Sequence, residues 1–246
     1  MCTLSFLPTP EGLILGMNRD EQKSRIKAHP PIAHSLSKGF SCLGPNEPNG
    51  GMWIAAGQNG NVFALLNWYS VEPKGSGPYT SRGSIIPSLL YQTSLLPFRS
   101  DLEKITQEAF RPFRLVTFFT GIKTCIEWQY DGYGIMRLDH PWMSGLWASS
   151  GQNESAAQTS RKAVWDTLSN QGHLMSTGDL RGFHRSHSPQ PGALSVCMHR
   201  GDAQTISYTE VVLRNNECSM HYVDGPPCES DEQSSATMPI QAKNNP

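Results

Sequence analysis

Hydrophobic and polar positions alternate along CTLSFL, the turn-forming stretch PTPEG follows, and a second apolar run, LILGMN, ends at Arg19 and Asp20. Successive side chains of a strand point to opposite faces, so this pattern predicts a β-hairpin. A hairpin returns the end of its second strand to the start of its first, which sets the tetrapeptide NRDE at residues 18–21 beside Cys2. A second hairpin is predicted where MWIAAG and NVFALLNW flank QNG, because Asn-Gly readily takes the positive φ of a tight turn.

Elsewhere the pattern is more broken. The stretch from Gln22 to Gly51 is rich in Pro, Ser, Gly and Asn, carries His29 and His34, and reads as a long surface loop. The loop VEPKGSGPYTSRG leads into a helix from Ser84 to Gln92, and a second helix is predicted from a Ser100/Glu103 capping box with Leu102, Ile105 and Ala109 as its apolar stripe. RLVTFFTG and IKTCIEWQY read as strands, and PWMSGLWASSG as a Trp- and Gly-rich connection. Residues 153–169 follow the helical period, with Asn153 as cap, Ala157, Val164, Trp165 and Leu168 on one face, and Gly172 past the end. A short helix and the segment FHRSHSPQPG precede three predicted strands, ALSVCMHR, QTISYTEVVL and CSMHYV. Residues 229–246 carry few apolar groups and are expected to be a disordered tail, leaving residues 1–228 as a single domain. Hairpins dominate and no βαβ alternation is visible. The expectation is an α+β protein in which two antiparallel sheets pack together with helices outside.

Composition narrows the function. Twenty basic residues stand against 21 acidic ones, with no basic stripe, which argues against nucleic acid as a partner. No apolar run is long enough to span a bilayer, and Pro8, Pro10 and Glu11 interrupt the first apolar stretch, so a cytoplasmic location is expected. None of the six cysteines forms a Cys-x-x-Cys pair, so neither a zinc site nor a disulfide framework is predicted.

Cys2 follows the initiator methionine directly and admits two readings. It is the first inward-facing residue of a strand, where cysteine behaves as a small hydrophobe. Alternatively Met1 is removed, and Cys2 becomes a terminus carrying both a thiol and a free α-amine, a nucleophile with a built-in base. An unperturbed thiol with a pKa of about 8.5 is mostly protonated at neutral pH, and an α-amine of pKa about 7.7–8.0 can take its proton directly or through a water. The guanidinium of Arg19 would favour the thiolate, and the carboxylate of Asp20 would orient the amine. Both equally fit a charged strand end facing water. Asn67 would donate to an oxyanion or satisfy a buried backbone group.

Other polar features carry less. Cys197 and His199 share a face of ALSVCMHR as a Cys–His dyad or half a metal site, but two residues on one strand do not complete a coordination sphere, and no metal is expected. His184, Arg185 and His187 in FHRSH admit a pocket-lining role, but a solvated loop is the favoured reading. GPNEPNGG lacks the strand and helix context of a phosphate loop.

Taken together, MC at the start, NRDE, GGMWI leading to ALLNW, and SRG before a helix resemble the NRDE family, also called the transport and Golgi organisation protein 2 family. The resemblance is strong over the first ninety residues or so and looser beyond. It implies the N-terminal-nucleophile hydrolase superfamily, a four-layer αββα sandwich, and similarity at the N-terminus to choloylglycine hydrolases and penicillin V acylases. Those enzymes cleave linear amides of small molecules with a terminal cysteine. On the resemblance, Cys2 matches the nucleophile and Asp20 the aspartate after the hairpin. The acylases place their arginine three positions before that aspartate, where this chain has Met17, so Arg19 is expected to serve from a neighbouring position. Asn67 matches a polar oxyanion residue, and Ser149 and Ser150 stand where the family shows Ser-Asn. Asn18, Trp68, Arg82 and Arg185 are the expected substrate-binding residues, Arg185 as the counterpart of a later arginine.

The function this implies is an amide hydrolase or acyltransferase working through an acyl-thioester at Cys2 on a small-molecule substrate, with no cofactor. The alternative is a non-catalytic binding or trafficking protein of the same family, linked to Golgi organisation or haem handling, with haem as its ligand. A redox-sensing role for Cys2 ranks below both.

Overall fold

The computed structural model describes residues 2–36, 39–170 and 175–241. Its first two strands, β1 (Cys2–Thr9) and β2 (Gly12–Gln22), form the expected hairpin, with Cys2 opposite Arg19 and Leu4 opposite Met17. β2 continues onto β11 (Ala203–Arg214), which pairs with β12 (Glu217–Asp224). β10 (Gly145–Ser149) closes the other edge against β1, and β13 (Ser234–Pro239) closes the far edge. The six-stranded sheet runs β10-β1-β2-β11-β12-β13 and is antiparallel throughout.

The second sheet has seven strands in chain order. They are β3 (His29–Ser35), β4 (Ser41–Asn46), β5 (Ile54–Gly57), β6 (Val62–Asn67), β7 (Phe113–Phe119), β8 (Thr124–Tyr130) and β9 (Ile135–His140). The QNG turn joins β5 to β6 with Gly60 at φ 80°, the left-handed conformation the sequence predicts there.

Alternation along the strands builds the layers. Leu4, Phe6, Leu13 and Met17 of one sheet meet Ile54, Leu66, Val116 and Phe118 of the other in the central core. The opposite face of the seven-stranded sheet buries Phe63, Leu115 and Trp128 under α1 (Ile85–Leu89) and α2 (Leu95–Ile105). The opposite face of the six-stranded sheet buries Leu7 and Ile14 under α3 (Glu154–Ser169) and α4 (Thr177–Arg185). The result is the expected α+β sandwich of four layers, helix–sheet–sheet–helix. Among the described residues no helix is long and apolar enough to cross a membrane.

The structure corrects several local expectations. The stretch from Gln22 to Gly51 holds β3 and β4; the prolines Pro30 and Pro31 fall at a register shift on an edge strand, where a missing N–H costs little. α2 starts at Leu95 after Ser94 and not at Ser100, because Pro97 is tolerated in a first turn; Ala109 lies outside the helix and is exposed. Residues 234–239, expected to be disordered, hydrogen-bond to β12 as β13. ALSVCMHR is bent chain with one isolated bridge, His199 to Gln204. Asn153 caps α3 as expected by accepting from the Ala156 N–H at 3.0 Å. Gly172 and Met1 lie outside the described residues.

Candidate active site

The hairpin register fixes the site. Cys2 and Arg19 face each other across β1 and β2, while Thr3, Asn18 and Asp20 point to the opposite, helix-facing side. Cys2 is buried, and its backbone N–H donates to Ser149 Oγ at 3.1 Å. Burial pushes the Cys2 thiol above its ordinary value and the Asp20 charge adds to this, whereas the Arg19 charge and a hydrogen bond from the Asp20 backbone N–H act the other way. The thiol is therefore protonated at neutral pH and needs a proton acceptor to become a nucleophile.

Arg19 is held on two sides. Its guanidinium lies 4.4 Å from the Trp53 ring and pairs with Glu47, a carboxylate that Arg25 Nη2 also reaches at 2.6 Å. Its Nη1 is buried and has no hydrogen-bond partner among the described residues. Beneath the hairpin, Asp20 Oδ2 accepts from Arg161 Nη2 at 3.2 Å and Oδ1 accepts from Thr205 Oγ1 at 2.7 Å. Arg161, on α3, also donates to Thr3 Oγ1 at 2.6 Å and approaches the Cys2 carbonyl at 3.5 Å. One buried guanidinium thus grips both strands at the residues flanking Cys2.

Cys2 opens onto a cavity of about 270 Å³ whose walls include Arg19, Trp53, Leu65, Asn67, Arg82 and Arg111. Asn67 Nδ2 donates one N–H to Tyr69 Oη at 2.6 Å, which leaves the second for the cavity. Arg82 donates to the Pro112 carbonyl at 2.9 Å, and Arg111 lies 5.1 Å from the Tyr79 ring. Neither arginine forms a salt bridge with a carboxylate among the described residues, and Glu21 and Glu47 also line the cavity.

The structure sorts the predicted residues. Cys2, Arg19, Asn67 and Arg82 line the cavity, and Asp20 borders it while its carboxylate turns to the helix side and pairs with Arg161. Asn18 does not line it: it is fully buried on the helix side and donates to the carbonyls of His184 and Val196 at 2.9 and 3.0 Å. Trp68 flanks a separate depression with Gln129, Ile135 and Met136. Arg185 ends α4 and pairs with Asp231 at the surface. His184, read as part of a solvated loop, is fully buried in α4; burial and the Arg161 charge lower it to about 3. Met17, where the acylases carry their arginine, is core, and Arg19 has the position facing Cys2.

Sequence reasoning missed Arg161. The signal was present: Ala157, Arg161 and Trp165 are spaced by four on one helix face, so a guanidinium interrupts the apolar stripe of α3.

Residues 1–181 match the family described as Transport and Golgi organisation 2. The chain belongs to that family. Among solved structures, a mutant of conjugated bile acid hydrolase from Clostridium perfringens matches with TM-score 0.59 and 11% identity, covering 97% of this chain and 92% of that one. Another variant of the same enzyme matches at TM-score 0.52 and 11% identity over 96% and 92%. Penicillin V acylase from Agrobacterium tumefaciens matches at TM-score 0.51 and 8% identity, covering 91% of this chain and 83% of that one. No curated protein matches the chain in sequence. At these identities the likeness is one of fold, and it shows that this Transport and Golgi organisation 2 chain has the fold of the N-terminal-nucleophile hydrolases.

Proposed function

We propose that the chain is an N-terminal-cysteine amide hydrolase or acyltransferase acting on a small linear amide, with Cys2 as nucleophile once Met1 is removed. The observation that carries this reading is the placement of Cys2: a thiol at the floor of a cavity, faced by Arg19 and gripped from below by the Arg161–Asp20 pair. The conjugated bile acid hydrolase and penicillin V acylase are named for small-molecule substrates, which supports a small molecule as the substrate here.

In this mechanism the α-amine of Cys2, oriented by Ser149 Oγ, accepts the thiol proton as Sγ attacks the carbonyl carbon. The oxyanion is stabilised by the free amide N–H of Asn67 and by backbone N–H groups. Collapse breaks the C–N bond, and the leaving amine takes the proton. Water or a second amine then attacks the thioester, breaks the C–S bond, and returns the proton to sulfur. Arg82 and Arg111 favour a substrate with an anionic group at their end of the cavity.

The test is intact-protein mass spectrometry with penicillin V and with N-acylglycines as acyl donors, on wild type and Cys2→Ala. The reading expects a mass lacking Met1 and a single acyl adduct that is absent from the variant. It also expects faster acylation by an N-acylglycine than by its uncharged methyl amide. Met1 retained on protein from its native host, or an adduct that persists in Cys2→Ala, overturns the mechanism.

A further inference from the structure

Away from the cavity, four side chains from three chain segments converge: His187 from the loop after α4, Cys197 and His199 from the bent chain before β11, and Cys228 from the segment after β12. Each offers one ligand atom, and the four atoms lie within 4.8 Å of one another. Cys197 Sγ is 3.4 Å from Cys228 Sγ and 3.7 Å from His199 Nε2, and His199 Nε2 is 3.2 Å from Cys228 Sγ. The His187 and His199 rings stand 5.0 Å apart, nearly perpendicular. Both cysteines are free, and 3.4 Å is far beyond the roughly 2.05 Å of a disulfide bond.

These separations have the size of the edges of a metal tetrahedron. With Zn–S of about 2.3 Å and Zn–N of about 2.0–2.1 Å, tetrahedral geometry sets sulfur–sulfur, sulfur–nitrogen and nitrogen–nitrogen edges of about 3.8, 3.6 and 3.4 Å. A second observation points the same way. His187 Nε2 is buried and has no hydrogen-bond partner among the described residues, an arrangement that costs free energy unless something ligates the nitrogen. His199 carries an outer partner of the kind metal-bound histidines use, since its Nδ1 faces the Glu229 carboxylate at 3.8 Å.

We propose that His187, Cys197, His199 and Cys228 bind one zinc ion in a closed, four-ligand structural site. Two thiolates and two neutral imidazoles are a donor set that suits zinc, and the four protein ligands leave no position open for chemistry. On binding, the two thiols release their protons to solvent, so affinity falls as pH falls. The ion fastens the loop between α4 and β11 to the chain after β12. That loop is built against the floor of the Cys2 site: Asn18 donates to the Val196 carbonyl, and the Met198 N–H donates at 2.8 Å to Thr205 Oγ1, the same hydroxyl that donates to Asp20.

The sequence shows only Cys197 and His199 as a pair, because the other two ligands arrive from segments 10 residues before and 31 after Cys197, a spacing set by tertiary packing and by no recognisable motif.

The experiment uses the full chain, purified without a histidine tag under reducing conditions. Elemental analysis is expected to find one zinc per chain. After chelation, cobalt(II) is expected to give the visible bands of a tetrahedral ion and a near-ultraviolet thiolate-to-cobalt band, both abolished by zinc. Cys228→Ser should lose part of the thiolate band and His187→Ala should loosen the ion at least tenfold, whereas Cys2→Ala should leave the spectrum unchanged. Should Cys228→Ser fail to fold, the wild-type stoichiometry and the His187→Ala titration still decide. Zinc-free protein with an octahedral cobalt spectrum overturns the proposal. So does a chain two hydrogens lighter, with Cys197 and Cys228 joined in one non-reduced peptide.

Discussion

Arg161 Nη2 stands 3.2 Å from Asp20 Oδ2 with neither side chain exposed, so the ion pair beneath the candidate nucleophile is sealed from solvent. A pair of this kind is held by its hydrogen bonds to Thr3 and Thr205 as much as by charge, and deleting one member strands the other. Arg161→Met is expected to cost about 3–5 kcal/mol of folding stability by urea denaturation. Arg185→Ala, which breaks an exposed pair with Asp231, is expected to cost no more than about 1 kcal/mol. Similar losses in the two variants would show that the buried pair does not organise the floor of the site.

The local part of this arrangement was legible in the sequence and the non-local part was not. Alternation along β1 and β2, with the PTPEG turn between them, is enough to bring Cys2 to Arg19, because a hairpin register follows from its turn. The strands that escaped sequence reading include all four sheet edges, β3, β9, β10 and β13. Edge strands pair on one side only and tolerate Pro, Gly and exposed polar residues, so their apolar alternation is weak. Arg161 and Cys228 reach their partners only after helices and loops have packed. Asn18 was misplaced for a simpler reason: alternation sends it to the helix side, opposite Arg19, and the motif reading overlooked the period.

The protonation of Cys2 sets a pH signature. Because burial raises its thiol and the charge of Arg19 opposes the rise, alkylation of Cys2 by iodoacetamide should increase with pH to a midpoint above that of an ordinary cysteine. Arg19→Met should move the midpoint higher still. Rates read from the mass of the N-terminal peptide across pH 7–11 decide this; a midpoint below the ordinary cysteine range, or no change in Arg19→Met, contradicts the electrostatics described here.

Gly16 tests how α4 docks on the hairpin. A Cβ at this position would lie 2.6 Å from His184 Nε2, whose ring is held by Ser5 Oγ at 2.7 Å. Gly16→Ala is therefore expected to lose about 1–3 kcal/mol through overpacking. Combining it with His184→Ala should recover much of that loss, since the smaller side chain removes the clash. Denaturant midpoints of the two single variants and the double variant measure the coupling; strict additivity would mean that the two residues do not meet.

Glu127 ties the two sheets together beside the site, and its titration gives acid sensitivity a location. Its carboxylate receives Trp147 Nε1 and meets His140 Nε2, both at 3.0 Å, and pairs with Arg114, which also donates to the Ala148 carbonyl next to Ser149. Burial works to raise Glu127, but the His140 hydrogen bond and the Arg114 charge prevail and hold it at about 2, against 4.5 for a free glutamate. A folded-state value below the unfolded one means that the stabilisation is fully present above about pH 4.5 and is lost as pH falls towards 2, by about 3 kcal/mol in all. Glu127→Gln lacks this titration. Its stability deficit relative to wild type should be largest at pH 6 and shrink steadily through pH 4 and 3 in urea denaturation. Wild-type and variant curves that run parallel over that range would place the acid-sensitive groups elsewhere in the fold.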